Sequence, residues 1–203
     1  MRKVILAALF LSIGFVACND KKEQKQETTQ AATTEATMHH GGNHHNHPAG
    51  DAKDLNTVAT KHSVVLKPVL DAYFQTKQAL QNDDQTKATE TGKALVQAVK
   101  AVQANLTTET AKATIAKIEA EATGIVTGDI KTQRAHFEAL SHDLKGLIQE
   151  VGTDRVVYQQ YCPMYEKKGG TWLSDQQELL NPLYGASMLK CGMTQEMYSP
   201  EVN

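Results

Sequence analysis

Positive charge, aromatic residues and cysteines are all scarce in this sequence. The 21 lysines and arginines are outnumbered by 23 aspartates and glutamates, so the clustered positive charge that binds nucleic-acid phosphates is missing. Aromatic residues form only 5% of the chain, which predicts a core of modest buried area. Ser141-His142-Asp143 has the residue types of a hydrolase triad, but consecutive helical positions point about 100° apart and cannot converge. The sequence therefore predicts neither a nucleic-acid-binding protein nor an enzyme.

Long apolar runs are also missing, except for a short one at the start. Arg2-Lys3 precedes the apolar residues 4–16. A basic start, a short apolar stretch and a small residue before the cleavage point are typical of a secretory signal, and this run is too short for a comfortable membrane span. The sequence Phe15-Val16-Ala17-Cys18 resembles the bacterial lipoprotein signal, which implies that residues 1–17 are removed and that Cys18 is lipidated. The alternative is an ordinary cleaved signal beside a spare cysteine.

The signal predicts a location in the cell envelope, on the periplasmic side, with a lipid anchor in the membrane. Removal of residues 1–17 leaves 19 of the 21 basic residues against all 23 acidic ones, a net charge of −4 with histidine neutral. Two thiols besides Cys18 remain, those of Cys162 and Cys191. In an oxidising compartment their pairing is the default expectation.

Residues 18–54 consist of polar and small residues with almost no bulky apolar side chain. Such a composition cannot bury enough surface to offset the entropy of ordering, so it predicts a disordered tether. Histidines are concentrated within it, at His39, His40, His44, His45 and His47. On a flexible chain these imidazoles would bind Cu(II) or Zn weakly as an auxiliary metal site. The alternative is a low-complexity polar linker without such a role.

Residues 55–203 are predicted to form one helical domain, because apolar residues recur at steps of three and four over four consecutive stretches. Pro68 predicts a kink or a helix start close to it. Asn82-Asp83-Asp84 and Asp129 are expected to separate and cap the helices, while Gly128 and Gly152 are expected to end them. The expected fold class is all-α: an up-down-up-down four-helix bundle, with a looped C-terminal segment, residues 152–197, packed on it.

Sulfur is concentrated in that C-terminal segment. Two thiols and three thioethers lie close together in the sequence, at Cys162, Met164, Met188, Cys191 and Met193. Soft sulfur donors select soft metals, above all Cu(I). His62 and His136, together with Met197, are further candidate ligands, although a partly buried helical histidine is the more common explanation for the two histidines.

The C-terminal sequence also resembles a known family. The ordered motifs Cys162-Pro163-Met164, Trp172-Leu173-Ser174, Asn181-Pro182 and Met188-Leu-Lys-Cys191-Gly192, with Gln133-Arg134-Ala-His136 in the last helix, resemble the DUF3347 family of exported proteins from Bacteroidetes-type bacteria. The likeness extends over roughly residues 60–196. Some members are fused to, or neighbours of, copper and heavy-metal efflux adaptors, so the resemblance implies copper handling with such an adaptor as partner.

Two hypotheses of function remain open at this point. The first is an envelope lipoprotein that binds Cu(I) at the C-terminal Cys/Met cluster and buffers it or delivers it to efflux machinery. The second is a helical interaction module stapled by a Cys162–Cys191 disulfide, which docks on an envelope partner without metal. Such a disulfide would close a loop of about thirty residues and add roughly 3–4 kcal/mol of stability.

Overall fold

The computed structural model describes residues 55–201. The predicted signal, Cys18 and the five clustered histidines lie outside the described residues, so these predictions are not tested by the fold. Eight regular elements follow one another in the chain: β1 (Asn56–Thr60), α1 (Lys67–Gln81), α2 (Gln85–Val102), α3 (Glu109–Thr127), α4 (Ile130–Val151), β2 (Val157–Cys162), β3 (Gly170–Ser174) and β4 (Met193–Pro200). Short 3₁₀ turns lie at Gln103–Asn105, Tyr165–Lys167 and Gly185–Met188.

The ends of the four helices lie where the local sequence signals predict them. α1 begins at Lys67, with Pro68 in its first turn, where the missing N–H of proline is harmless. Asp84 caps α2 by accepting a hydrogen bond from the Lys87 N–H at 2.8 Å, and Asp129 caps α4 from the Thr132 N–H at the same distance. α4 ends at Gly152, whose φ of +96° favours glycine.

The helices bury a single apolar core along their length. Successive helices are joined by loops of two to a few residues and pack as neighbours, α1 on α2, α2 on α3 and α3 on α4. The rings of Tyr73 and Phe137 stack at a centroid distance of 4.6 Å and join α1 to α4. Both rings are fully buried, as are the leucines and isoleucines that alternate along the facing helix surfaces.

The predicted fold class is wrong, because the protein is α+β and not all-α. A four-stranded mixed sheet of order β1-β4-β2-β3 packs beside the helices. β1 runs parallel to β4, whereas β2 is antiparallel to both β3 and β4. The segment 152–197, predicted as a looped excursion, supplies most of three strands of this sheet, and the fourth strand comes from residues before α1.

The two faces of the sheet are covered by different parts of the chain. On one face, Lys145 of α4 forms an ion pair with Glu196 at 2.9 Å, and the Tyr73 hydroxyl accepts a hydrogen bond from the Leu173 N–H at 2.9 Å. On the other face, residues 175–192, called the covering segment below, pack on Trp172 and Gln160. Burial on both faces removes the alternation of polar and apolar residues that identifies a strand in a sequence.

Within residues 55–201, no helix has the length and apolar character needed to cross a membrane.

Candidate functional site

The structure brings two of the predicted sulfur ligands into contact. Cys162 is the last residue of β2 and is completely buried, on the side of the sheet that carries Gln160. Cys191 lies between the 3₁₀ turn Gly185–Met188 and β4 and is half-buried. Their Sγ atoms are 2.8 Å apart, and within residues 55–201 neither forms a disulfide. Strand β2 and the covering segment therefore meet at a pair of thiols.

The distance between the two sulfurs bears on both functional hypotheses. At 2.8 Å the pair needs a small further approach to reach the about 2.05 Å of a disulfide bond. A tetrahedral metal with metal–sulfur bonds of about 2.3 Å would instead hold two thiolates roughly 3.8 Å apart. The observed arrangement is thus nearer to a disulfide, and binding of a metal requires the sulfurs to separate by about 1 Å.

Backbone contacts place Cys191 between two methionines. The Cys191 N–H donates to the Met188 carbonyl at 3.0 Å, and the Met164 backbone N–H lies near enough to the Cys191 thiol to lower its pKa. Burial and the neighbouring Cys162 thiol nevertheless raise the pKa of Cys191 to about 11. The thiol therefore keeps its proton at neutral pH, and a metal that binds there must displace it.

Asn181 holds the end of the covering segment against Cys191. Its side chain is completely buried; the amide donates to the Cys191 carbonyl at 3.0 Å, and its oxygen accepts the Leu183 N–H at 2.8 Å. Its backbone N–H donates to the Leu189 carbonyl at 2.8 Å. One asparagine thus closes both ends of the loop that leads to the thiol, which explains why asparagine stands at this position.

Gln160 and Trp172 hold the beginning of the covering segment. The buried Trp172 Nε1–H donates to Gln160 Oε1 at 2.8 Å, and this bond orients the amide. Gln160 Nε2 then donates to the carbonyls of Gln176 and Gln177 at 3.2 and 3.0 Å. Because Gln160 lies two residues before Cys162 on the same face of β2, this network and the thiol pair share one layer.

An ion pair anchors the middle of the covering segment to the helices. Arg134 of α4 pairs with Asp83 and donates to the Pro182 carbonyl at 3.0 Å. The Ala186 N–H donates to the other Asp83 oxygen at 2.9 Å, and these hydrogen bonds lower the pKa of Asp83. Gly185 lies against this pair with φ of +58°, and a Cβ there would lie 2.2 Å from Asp83 Oδ1, so only glycine fits.

Gly192 allows the chain to pass from Cys191 into β4. Its φ is +142°, and an added Cβ would lie 2.7 Å from the Tyr161 carbonyl and 3.1 Å from the Trp172 ring. A side chain at this position would push the neighbouring Cys191 away from Cys162. The Cys-Gly pair of the sequence motif is therefore a packing requirement of the thiol site.

The three methionines differ in their relation to the thiols. Met164, whose N–H contacts Cys191 Sγ, follows Cys162 on the turn after β2 and is 57% exposed. Met188 is partly buried and precedes Cys191 by one turn. Met193 is 51% exposed, but it pairs in register with Tyr161, which projects from the opposite face of β2 to Cys162. The backbones of Met164 and Met188 therefore flank Cys191, whereas Met193 lies on the opposite face of the sheet to Cys162.

The structure separates both predicted histidine ligands from the thiols. His62 is exposed, lies outside α1 and pairs with Thr153, so its prediction as a helical residue is wrong. Thr60, just before it, pairs with Pro200, at the other end of β4 from Met193. The eight residues of β4 span roughly 23 Å at about 3.3 Å per residue, which excludes His62 from the thiol site.

His136 is engaged elsewhere, on the side of α4 that faces α3. Its Nδ1 lies 2.7 Å from a Glu121 carboxylate oxygen, and its ring rests on Gly124, where a Cβ would meet it at 2.4 Å. By contrast, Arg134 contacts the covering segment, and Glu138 contacts β3. His136 thus packs between two helices and is not a ligand at the thiols, as is common for a helical histidine.

Across the described part of the chain, no three side chains of histidine, cysteine, aspartate or glutamate converge as a metal site. Ser141 is buried, with its hydroxyl 2.6 Å from the Tyr73 hydroxyl, while His142 is exposed. The side chains of Ser141 and His142 thus point in different directions, as helical geometry predicts. The thiol pair with its two flanking methionines remains as the candidate site.

The class of protein that these features define is an α+β domain whose covering segment meets the sheet at a thiol pair. Residues 69–155 match the model of the family described as "Protein of unknown function (DUF3347)", which confirms the family resemblance. The matched region runs from α1 to the residues after α4, so the match ends before β2 and the thiols. No significant match was found among the curated proteins or among the solved structures.

Proposed function

We propose that the protein binds one soft metal ion, Cu(I) by preference, at the thiols of Cys162 and Cys191. The thioethers of Met164 and Met188 would complete the ligand set, and the bound ion would be buffered or passed on without catalysis. The observation that carries this proposal is the contact of two unbonded thiols at 2.8 Å, with two methionines beside Cys191. Thiolates and thioethers together are the donors that select Cu(I).

The surroundings of the thiols are compatible with the small separation that a metal needs. Cys162 is fixed at the end of β2, but Cys191 lies outside the strands and is half-buried. Met164 is on an exposed turn, so its thioether can approach from solvent. A shift of Cys191 by about 1 Å would open the pair to the spacing of two metal-bound thiolates.

The proposal also includes a cellular location and a partner for the protein. The lipoprotein-type signal before Cys18 supports an envelope protein that is anchored to the periplasmic side of a membrane. The family resemblance supports a metal-efflux adaptor as the partner that receives the ion. The histidines at 39–47 would then act as a weak auxiliary site for Cu(II) or Zn.

The distance between the two Sγ atoms also favours a second candidate function. The burial of Cys162 and the raised pKa of Cys191 disfavour thiolates, and the sulfurs are nearer to bond length than to a metal-bridged spacing. In this alternative the thiols form a disulfide that staples the covering segment to β2. The protein would then be a rigid interaction module that docks on an envelope partner without metal.

Thiol counting and metal analysis distinguish the two functions. If the protein binds Cu(I), protein purified without oxygen after growth in copper should carry about one copper per chain, and the reduced apoprotein should rebind about one Cu(I). Deletion of residues 38–47 should not change this stoichiometry, since the tight site is at the thiols. The opposite outcome is protein that is isolated with no free thiols and without copper, and that binds no Cu(I) after reduction. That result would contradict metal binding and favour the disulfide-stapled module.

A separate experiment tests the lipid anchor. The replacement Cys18→Ser should release the protein from membranes into the soluble envelope fraction, because a single acylated cysteine is the only attachment proposed. Fractionation and immunoblotting measure the change, with Cys191→Ser as a matched cysteine control that should stay on the membrane. A Cys18→Ser protein that still sediments with membranes contradicts the lipoprotein assignment.

A further inference from the structure

A second feature of the molecule, away from the thiols, has the character of a binding site. Lys77 lies in the last part of α1 and is only 4% exposed, which is rare for a lysine without a charged partner. Its Nζ donates one hydrogen bond, to Gln81 Oε1 at 3.2 Å. An ammonium group has three N–H donors. Among the residues that the structure describes, no carboxylate lies within ion-pair distance of Lys77, so most of its bonding capacity is unused.

Lys77 lines an open cleft of about 320 Å³ between α1 and the residues that follow α4 and β3. This volume is within the range of small-molecule sites. Phe74 provides an apolar wall, and Gln78 and Gln81 contribute amide groups. Lys77 and its hydrogen-bond partner Gln81 therefore both line a space large enough for a small organic molecule.

The charges around the cleft indicate what kind of molecule would fit. Arg155, on its rim, is already paired with Asp154 at 2.8 Å and Asp71 at 2.7 Å. Asp175 also lines the cleft, and Asp175 and Glu178 are the acidic groups whose field reaches Lys77. Because Asp154 and Asp71 already neutralise Arg155, Lys77 is the cationic group of the cleft lining that no carboxylate of the described residues contacts, and its single positive charge matches a singly charged anion better than a dianion.

From this arrangement we infer that the cleft binds a small organic carboxylate, whose carboxylate group accepts hydrogen bonds from the Lys77 ammonium. The amides of Gln78 and Gln81 supply further donors, and the organic part of the ligand lies against Phe74. Such a bond between ammonium and carboxylate would satisfy the buried donor that the protein itself leaves open. Burial lowers the pKa of Lys77 to about 8, a value at which the amine is still mostly charged at neutral pH.

The site is independent of the proposed metal site, since Lys77 and the cleft residues contribute no sulfur. Its experiment uses acetate as the probe, titrated into ¹⁵N-labelled protein at pH 7, with sodium chloride at matched ionic strength as the blank. The amides of residues 77–81 and 175–176 should shift saturably, with a dissociation constant in the millimolar range expected for so small a ligand. Sulfate, which is a dianion at this pH, should bind more weakly.

Two variants separate a specific site from general attraction. Lys77→Met keeps most of the length of the side chain but removes the charge, and it should weaken acetate binding about tenfold or more. Lys93→Met removes an exposed lysine of α2 and should bind acetate as the parent does. Acetate shifts that do not saturate, or that are equal in the parent and in Lys77→Met, overturn the inference.

A measurement on the unaltered protein supports the result even if Lys77→Met does not fold. The pKa of Lys77, followed through its Cε carbon by NMR, should rise when acetate is present, because the bound anion stabilises the ammonium form. Sodium chloride at the same ionic strength should leave it unchanged. Equal values in acetate and in chloride would show that no carboxylate binds at Lys77.

Discussion

Replacing both Met164 and Met188 by leucine should lower the Cu(I) affinity of the reduced protein by about a hundredfold, on the order of tenfold for each lost thioether. These two methionines are the ones whose backbones contact Cys191, through the Met164 N–H and the Met188 carbonyl. Leucine nearly conserves the volume of methionine, so the melting temperature should change little. Competition with a chromogenic Cu(I) chelator measures the affinity.

Met193→Leu is the matched control for this double variant. Met193 belongs to the same sulfur-rich segment and is about as exposed as Met164, but its strand partner Tyr161 projects away from Cys162. Its replacement should therefore leave Cu(I) affinity unchanged. Equal affinity in the double variant and in the parent would remove the thioethers from the site. The variant Cys162→Ser cannot make this distinction, because it abolishes a metal site and a disulfide alike.

Replacing Lys77 by methionine should raise the free energy of unfolding at pH 7 by about 2–3 kcal/mol. The pKa of Lys77 falls from 10.5 to about 8 on folding, mainly because burial disfavours the charged form. At about 1.4 kcal/mol for each pKa unit, this corresponds to roughly 3 kcal/mol at neutral pH. Methionine preserves most of the apolar stem and loses only the hydrogen bond to Gln81. Urea denaturation measures the difference.

The pH dependence gives this prediction a definite sign. Between pH 8 and pH 10.5 the unfolded chain still holds the Lys77 proton while the folded protein has released it. The parent therefore gains stability as the pH rises through this range, and the Met variant lacks that contribution. The difference between them should be largest at pH 7 and should shrink towards pH 10.5. A difference that does not depend on pH, or a less stable variant at pH 7, contradicts the buried-charge explanation.

A protein that keeps a lysine at such a cost in stability generally does so for function. This trade-off connects the stability experiment with the carboxylate site at the same residue. If Lys77→Met is more stable and no longer binds acetate, the two results together describe a charge that is retained for its ligand. Lys93→Met serves again as the control, since an exposed lysine should change neither property.

Local signals predicted the helices well because each depends on a few neighbouring residues. Asp84 and Asp129 cap helices through their own third neighbours, and Gly152 ends α4 through its own φ. The strands could not be predicted in this way. β2 contains Gln159 and Gln160, both buried, because one face of the sheet meets the helices and the other meets the covering segment.

The site was predicted in part, for similar reasons. Cys162 and Cys191 were grouped by residue type, and the fold brings them together. Helix periodicity places His62 and His136 near the apolar face, but their actual partners, Thr153 and Glu121, depend on elements distant in the sequence. Lys77, Asn181 and Gln160 gave no signal, since a buried polar side chain is recognised only once its surroundings are known.

The parallel pairing of β1 with β4 has a consequence for how the domain folds. Asn56 pairs with Glu196. Strand β1, which precedes the helices, therefore cannot pair until β4, which follows them, has been synthesised. Contacts between such distant residues carry a large loop-closure entropy and slow folding. The helices can assemble early from local contacts, while β1 and β2 expose unpaired backbone until β4 arrives. During synthesis the incomplete sheet therefore exposes strand edges that can pair with other chains, so aggregation is favoured until β4 has paired.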